Sequence, residues 1–355
     1  MGVHEDRRVR MDDLQRIATE RLPPPVSEYF NQGAAEGITA AAAVAAWDRI
    51  RFRPRVLRDV SSVSTATTVL GHDLITPVSV APTALHRAAH PMGEVATARG
   101  AAAAGALMEV STNAGVPFER IGATGVRWWL QSYVLRDRGL TRDILQRAVA
   151  AGAAAVVLTT DTTVVGRKYN AGPSVYDVVP AEYLLANIDQ GDRPDAALDK
   201  ADDLTPETIG WLRDVTGLPV VVKGVLRADD ARIAVAAGAA AVQVSNHGGR
   251  QLDQAVATAD ALPEIAAAVQ DSGAEIYVDG GIRSAEHVLA ALALGARAVF
   301  VGRPVLWALT AGGASGDGGA DGVAELLGRL TDELRHVMTL AGARNVGEIT
   351  SDLVV

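Results

Sequence analysis

The chain contains no cysteine, which excludes disulfides, thiolate metal sites and a cysteine nucleophile but leaves the compartment open. It has no run of eighteen uncharged apolar residues, so nothing in it reads as a membrane span. Positive charge is not in surplus: the formal net charge is −9, and an acidic surface attracts neither nucleic acid nor an anionic membrane. The N-terminal stretch MGVHEDRRVRMDDLQRIATERL is charged throughout and lacks the apolar core of a signal peptide. A cytoplasmic protein without nucleic-acid or membrane partners is expected, and no metal site is read. No strand, G-x-G-x-x-G and helix in succession marks a dinucleotide site. The run Gly312 to Gly322, GGASGDGGADG, lacks the Lys-Ser/Thr ending of a phosphate loop and reads as a flexible connector.

What is present is a rhythm. With 355 residues, 48% hydrophobic and 21% charged, the chain is long enough for one large domain over residues 1–355. Short β-prone runs return about every 20–35 residues, separated by alanine-rich helical stretches. Strands are expected near Pro77 to Ala81, Leu107 to Ser111, Arg127 to Gln131, Ala155 to Thr159, Pro219 to Lys223, Ala241 to Ser245, Glu275 to Asp279 and Ala298 to Gly302. Eight such units predict an α/β fold, a (β/α)₈ TIM barrel over residues 76–311 with its site at the carboxyl ends of the strands. Residues 1–75 form a helical extension supplying helices and a plug for the barrel bottom. Residues 321–355 form a C-terminal helical segment. After strand four, residues 167–204 mix Gly, Pro, Asp and Asn and read as a lid loop over the mouth.

The strand ends carry the chemistry. Ser245-Asn246-His247-Gly248-Gly249-Arg250-Gln251-Leu252-Asp253 directly follows the apolar run Ala239 to Val244. Its spacing brings an imidazole that titrates near neutrality and a guanidinium fork that matches a carboxylate into one small volume. The other ends offer Pro82-Thr83-Ala84, Ser111, Gln131 and Tyr133, Thr159 and Asp161, Lys223, Asp279-Gly280-Gly281-Ile282-Arg283, and Gly302-Arg303. Hydroxyls, an amide and a lysine suit the edge of a polar heterocycle. Glycines with Arg283 and Arg303 after strands seven and eight suit a phosphate. Taken alone, a loop histidine is usually incidental, and a polar residue after a strand is as often a cap or a solvated turn. Eight polar strand ends at one mouth are not, and a phosphorylated cofactor is expected.

These motifs resemble those of the flavin mononucleotide (FMN)-dependent α-hydroxy acid oxidase and dehydrogenase family. The resemblance runs from Tyr29-Phe30-Asn31-Gln32-Gly33 through FRPRVL at Phe52 to Leu57, APTA at Ala81 to Ala84, HPMGE at His90 to Glu94, QSYV at Gln131 to Val134 and VKG at Val222 to Gly224. It ends with SNHGGRQLD, DGGIR and GRPV, whose joint spacing is specific where DGG or GRP alone is not. It implies that Thr83, Ala84, Ser111, Gln131, Tyr133, Thr159, Lys223, Ser245, Asp279, Gly281, Arg283, Gly302 and Arg303 hold FMN. Tyr29, Tyr133, Lys168, His247 and Arg250 would face a 2-hydroxy acid substrate. Oxidation of such an acid needs a base beside the hydroxyl, an anchor for the carboxylate and an electron acceptor. His247 fits the base, Arg250 the anchor, Asp161 the acid that stabilises the imidazolium, and Tyr133 a hydrogen-bond donor. Lys223 would stabilise negative charge on a reduced flavin.

Two positions depart from the family pattern. Where its members usually show Gly-Arg-Arg or Gly-Asn-Arg after strand four, this chain reads Gly166-Arg167-Lys168, and a lysine offers a point charge without the fork. Either Lys168 or Arg167 then serves the carboxylate, or the substrate differs. Asn113 stands where glycolate oxidases have a tryptophan, which implies a roomier pocket and a substrate larger than glycolate or lactate, such as a mandelate-like acid. The alternatives are a tailoring oxidase or oxidative deaminase of secondary metabolism, or a dehydrogenase with another electron acceptor. The polar DQGDRPD at Asp189 to Asp195, where membrane-bound relatives are apolar, favours O2 as acceptor. A homotetramer is implied by the resemblance. A flavin-dependent isomerase or nicotinamide-dependent nucleotide dehydrogenase would share DGGIR-like and GRP-like elements but has no reason to carry SNHGGRQLD.

Overall fold

The computed structural model describes residues 11–169, 172–313 and 316–355. Among the described residues ten strands form: β1 (Thr67–Val69), β2 (His72–Leu74), β3 (Val78–Val80), β4 (Leu107–Ser111), β5 (Arg127–Ser132), β6 (Val156–Thr159), β7 (Val220–Val225), β8 (Ala241–Val244), β9 (Glu275–Asp279) and β10 (Ala298–Val301). Strands β3 to β10 pair in parallel in chain order, and β10 closes onto β3 through Val299 beside Val78 and Val301 beside Val80. The expected eight-stranded barrel is present, with strand ends within a residue or two of expectation. Its strands are valine-rich runs such as Val220–Val225 and Ala241–Val244, buried on both faces as a helix-covered parallel sheet requires.

Outward valines and leucines of the strands meet the surrounding helices in one large apolar layer. A second, smaller cluster fills the barrel floor, where Trp129, Tyr277 and Phe300 stand with ring centroids 5.4–6.0 Å apart. The floor is plugged by the antiparallel hairpin β1–β2, whose Val69 and Leu74 join this cluster. Leu70 N also donates to Glu275 Oε1 at 3.1 Å. The plug is thus a hairpin, while helices Met11–Arg21, Pro24–Asn31 and Ile38–Asp48 go elsewhere. The first packs on helix Arg303–Ala311 and the third on helix Thr258–Val269 and the turn at His247. Between them, Ala34 N donates to Gly249 O and Ala35 N to Arg167 O, both at 2.8 Å, so this segment lies across the barrel mouth.

The loop after β6 is not featureless. It contains helices Val175–Val178 and Glu182–Leu185 and a 3-10 turn at Asp195–Leu198, the first started by a capping box of Ser174 and Asp177. The supposed connector at Gly312 to Gly322 is shorter than expected. Helix Gly318–Ala341 begins inside it, while residues 314 and 315 lie outside the described residues. Glycine here serves close packing: a Cβ on Gly322 would stand 2.4 Å from Ala308 O. Beyond Ala341 the chain makes only 3-10 turns at Val346–Glu348 and Ser351–Leu353.

Candidate active site

Along several strands, inward positions two residues apart climb from the apolar floor to a polar mouth. Trp129 is followed by Gln131, Val221 by Lys223, Tyr277 by Asp279, and Leu107 by Glu109 and Ser111. The mouth encloses a cavity of about 460 Å³, within the roughly 300–1,000 Å³ of small-molecule sites. Its wall includes Tyr29, Thr83, Ala84, Ser111, Gln131, Tyr133, Thr159, Lys168, Lys223, His247, Arg250, Asp279, Gly281, Arg283, Gly302 and Arg303. Asp161 and Ser245, the remaining sequence candidates, stand just behind it.

Asp161 Oδ1 lies 2.9 Å from His247 Nδ1. Burial works to raise the Asp161 pKa, but His247, Lys223 and the Thr162 hydroxyl outweigh it and hold the group at about 2. An ionised carboxylate only accepts, so Nδ1 carries the proton and Nε2 keeps its lone pair. Burial pushes His247 below its ordinary value, opposed by Asp161, which leaves the ring neutral at pH 7 and able to take a proton. Thr162 Oγ1 donates to Asp161 Oδ1 at 3.1 Å and receives Gln251 Nε2. His247 occupies the left-handed region at φ 56°, a conformation that costs a non-glycine residue about 1–3 kcal/mol. Its N–H donates to Ser245 Oγ at 3.1 Å and Ala34 N holds Gly249 O, so the surrounding contacts fix the strained turn and aim the imidazole.

Beneath lies a buried polar layer. Lys223 Nζ donates to Ser245 Oγ at 2.9 Å and lies 3.4 Å from Asp279 Oδ2, while Ser245 Oγ donates to Asp279 Oδ1 at 2.7 Å. Gln243 Nε2 donates to Asp279 Oδ2 at 2.9 Å and reaches Glu109 Oε2 at 3.4 Å. Burial pushes Glu109 up to about 8. On the early strands, Gln131 Nε2 donates to Thr159 Oγ1 at 2.9 Å, and Thr83 Oγ1 meets His86 Nε2 at 2.5 Å. Burial drives His86 down to about 4, so it is neutral.

Three arginines line the other wall. Arg250 Nη1 donates to Tyr29 O at 2.6 Å and Gln32 O at 3.0 Å, and its Nε and Nη2 make no hydrogen bond among the described residues. Arg303 donates to Phe30 O and Gln32 O, and Arg283 sits over the Trp307 ring at 5.1 Å. Burial, then repulsion from Arg250 and Arg283, pushes Arg303 down to about 9, which still leaves it cationic at pH 7. Gly302 is the N-cap of helix Arg303–Ala311 and makes no side-chain cap bond, so the helix end also favours an anion. Gly281 lies against the backbone here: a Cβ would fall 2.4 Å from Ala43 O.

The lid loop completes the cavity. Lys168 lines it, its Nζ donating to Gly166 O at 2.9 Å and to Arg250 O, whereas Arg167 is exposed and outside the wall. Asn113 does not simply leave space: its Nδ2 donates to Leu184 O of the lid at 3.2 Å. Sequence reasoning missed Tyr176, whose ring meets that of Tyr29 edge-on at 6.1 Å, and Lys200, 3.7 Å from the Tyr133 ring centroid.

A parallel barrel that joins a histidine–carboxylate pair to a row of cations at its carboxyl mouth defines an anion-anchored cofactor enzyme of the α/β-barrel class. The model of the FMN-dependent dehydrogenase family matches residues 18–355. The chain is 41% identical to glycolate oxidase 1 of Zea mays, over 97% of this chain and 94% of that one. It is 39% identical to an L-lactate oxidase of Nostoc sp., covering 98% of each. A crystal structure of mandelate oxidase with (S)-4-hydroxymandelic acid superposes with a TM-score of 0.87 at 40% identity, covering 98% of each chain. The chain belongs to the FMN-dependent dehydrogenase family and is an FMN-dependent oxidoreductase of the α-hydroxy acid oxidase group. Among the described residues no helix is long and apolar enough to cross a membrane.

Proposed function

We propose that the enzyme oxidises a 2-hydroxy acid larger than glycolate or lactate to its 2-oxo acid, with O2 reoxidising the flavin. The observation that carries this reading is the 2.9 Å contact of Asp161 with Nδ1 of His247, a residue on the same turn as Arg250. His247 Nε2 takes the hydroxyl proton, Asp161 stabilises the resulting imidazolium, and Arg250 fixes the carboxylate with its Nε–Nη2 edge. Tyr29 and Tyr133 donate hydrogen bonds to the substrate, and Lys168 adds charge. When bound, FMN would supply the acceptor for the two electrons and for the hydrogen that leaves the adjacent carbon.

The donor set fits that group. Thr83, Ala84, Ser111, Gln131, Tyr133, Thr159, Lys223, Ser245 and Asp279 would hold the flavin and ribityl part, offering hydroxyls, an amide and an ammonium. Gly281, Arg283, Gly302 and Arg303 would hold one phosphate, supported by the helix end without a side-chain cap. The mandelate oxidase neighbours, solved with (S)-4-hydroxymandelic acid and with benzoyl-formic acid, support a bulky substrate. The relatives named as oxidases support O2, the acidic chain a cytoplasmic enzyme, and the family resemblance a homotetramer.

The test is an anaerobic screen of 2-hydroxy acids against the yellow holoenzyme. A mandelate-like acid should bleach it faster than glycolate, and air should restore the colour with release of hydrogen peroxide. Bleaching by amines alone, or by no hydroxy acid, overturns the reading; bleaching that air does not reverse replaces O2 with another acceptor.

A further inference from the structure

The lid ends in a segment whose side chains separate by charge. Its backbone is fixed to the strand β5 exit, with Arg136 N donating to Asp199 O and Ala201 N to Val134 O, both at 2.8 Å, and Leu135 bridging Lys200. The neighbouring acids pair elsewhere: Asp202 with Arg136 at 3.4 Å and Asp203 with Arg138 at 2.8 Å. Lys200 instead turns into the cavity, where its ammonium lies 3.7 Å from the centroid of the Tyr133 ring. Among the described residues no carboxylate lies within ion-pair distance of it.

A charge inventory of the cavity leaves this cation over. Lys223 is matched by Asp279 at 3.4 Å, and Asp161 accepts a hydrogen bond from the neutral His247 ring at 2.9 Å. On the proposed reading a cofactor phosphate takes Arg283 and Arg303, and the substrate carboxylate takes Arg250. Lys168 and Lys200 then remain, both in the lid and both lining the cavity.

Resting on that reading, we propose that Lys200, assisted by Lys168, is a second anion anchor that selects 2-hydroxy acids bearing another carboxylate at their far end. The Tyr133 and Tyr176 rings supply an apolar wall for the chain between the two carboxylates. Burial pushes Lys200 and Lys168 down to about 8, Lys200 being partly supported by Asp161 and Lys168 further lowered by Arg250 and Arg303. A bound carboxylate offsets that desolvation and is held more firmly than at an open surface, where ion pairs contribute little.

The experiment compares kcat/KM for two matched pairs with the FMN-loaded enzyme: 2-hydroxypentanedioate against 2-hydroxypentanoate, and 4-carboxymandelate against mandelate. In at least one pair the diacid should lead by roughly tenfold or more, the effect of one charged hydrogen bond. Lys200→Gln should reduce that ratio at least tenfold, and Lys200→Arg should retain most of it. Monoacids that equal or exceed both diacids, or a ratio that survives in Lys200→Gln, overturn the proposal while leaving hydroxy acid oxidation intact. Failure of all four compounds to bleach the flavin overturns the underlying function instead. If Lys200→Gln does not yield flavin-loaded protein, unsubstituted pentanedioate and pentanoate are titrated into the wild-type holoenzyme and followed by the flavin spectrum. Tighter binding of the diacid supports the anchor; equal or weaker binding overturns it.

Discussion

Replacing Asp161 with Asn isolates the electrostatic part of the proposed base. The carboxylate sits 2.9 Å from His247 Nδ1 and is held at about 2, so it is fully charged throughout the working pH range. A hydrogen bond to a charged partner contributes about 1.5–3 kcal/mol. Losing that stabilisation of the imidazolium should slow substrate reduction of the flavin by roughly 10- to 150-fold. The neutral amide can still accept from Nδ1, and Thr162 and Gln251 remain to support the turn, so FMN should stay bound. Asp161 also raises the His247 pKa against the effect of burial. Without it the acid limb of the kcat/KM profile should move to lower pH, because a weaker base stays deprotonated further down. Anaerobic stopped-flow reduction across pH measures both effects. An unchanged reduction rate, or an acid limb displaced to higher pH, refutes the reasoning.

The same carboxylate should make the fold sensitive to acid. Its pKa falls from an ordinary 3.8 to about 2 on folding, so its stabilisation is present above about pH 4 and lost as pH falls toward 2; this is worth about 2 kcal/mol. Denaturant melts should show the gap between wild type and Asp161→Asn shrinking over that window, and a constant gap contradicts the linkage. Arg250→Lys should lower kcat/KM for a simple 2-hydroxy acid by roughly 2–3 kcal/mol through loss of the fork. Lys168→Ala should cost less, because Lys168 Nζ already donates to carbonyls; the reverse order would show that the anchor is misplaced. Gly281→Val should destabilise by at least ~2 kcal/mol and impair FMN retention, since its Cβ would meet Ala43 O at 2.4 Å with φ at +82°. A normal Tm with full flavin content would refute that.

The barrel was legible because parallel strands buried on both faces read as short valine-rich runs, and their polar exits stand out against them. SNHGGRQLD gave His247 and Arg250 together for that reason, and the candidate residues converge on one cavity or stand directly behind it. The Glu109 carboxyl was hidden inside the run LMEVS, where only closure of the barrel makes its side chain inward and buried. Gln243 was masked in the same way. A plug from residues 1–75 was expected, but its hairpin form was not, because its turn is Leu70-Gly71, both at positive φ, not the Asn-Gly or Asp-Gly pair that usually announces such a hairpin. Tyr176 and Lys200 lie in the loop after β6, whose return over the mouth depends on contacts such as Asn113 to Leu184 O that no local periodicity encodes. Asn113 illustrates the limit of reading one residue alone: a small polar side chain suggested open space, and the lid backbone fills part of it.

The central claim, that His247 is the base acting on a 2-hydroxy acid in an FMN-dependent reaction, is tested most directly by anaerobic stopped-flow reduction of His247→Ala. With a bulky 2-hydroxy acid, flavin reduction should slow roughly 10²–10⁴-fold, the contribution of a positioned base, while the released cofactor remains FMN in wild-type amount. Reduction at a near-native rate with FMN fully bound would contradict the account.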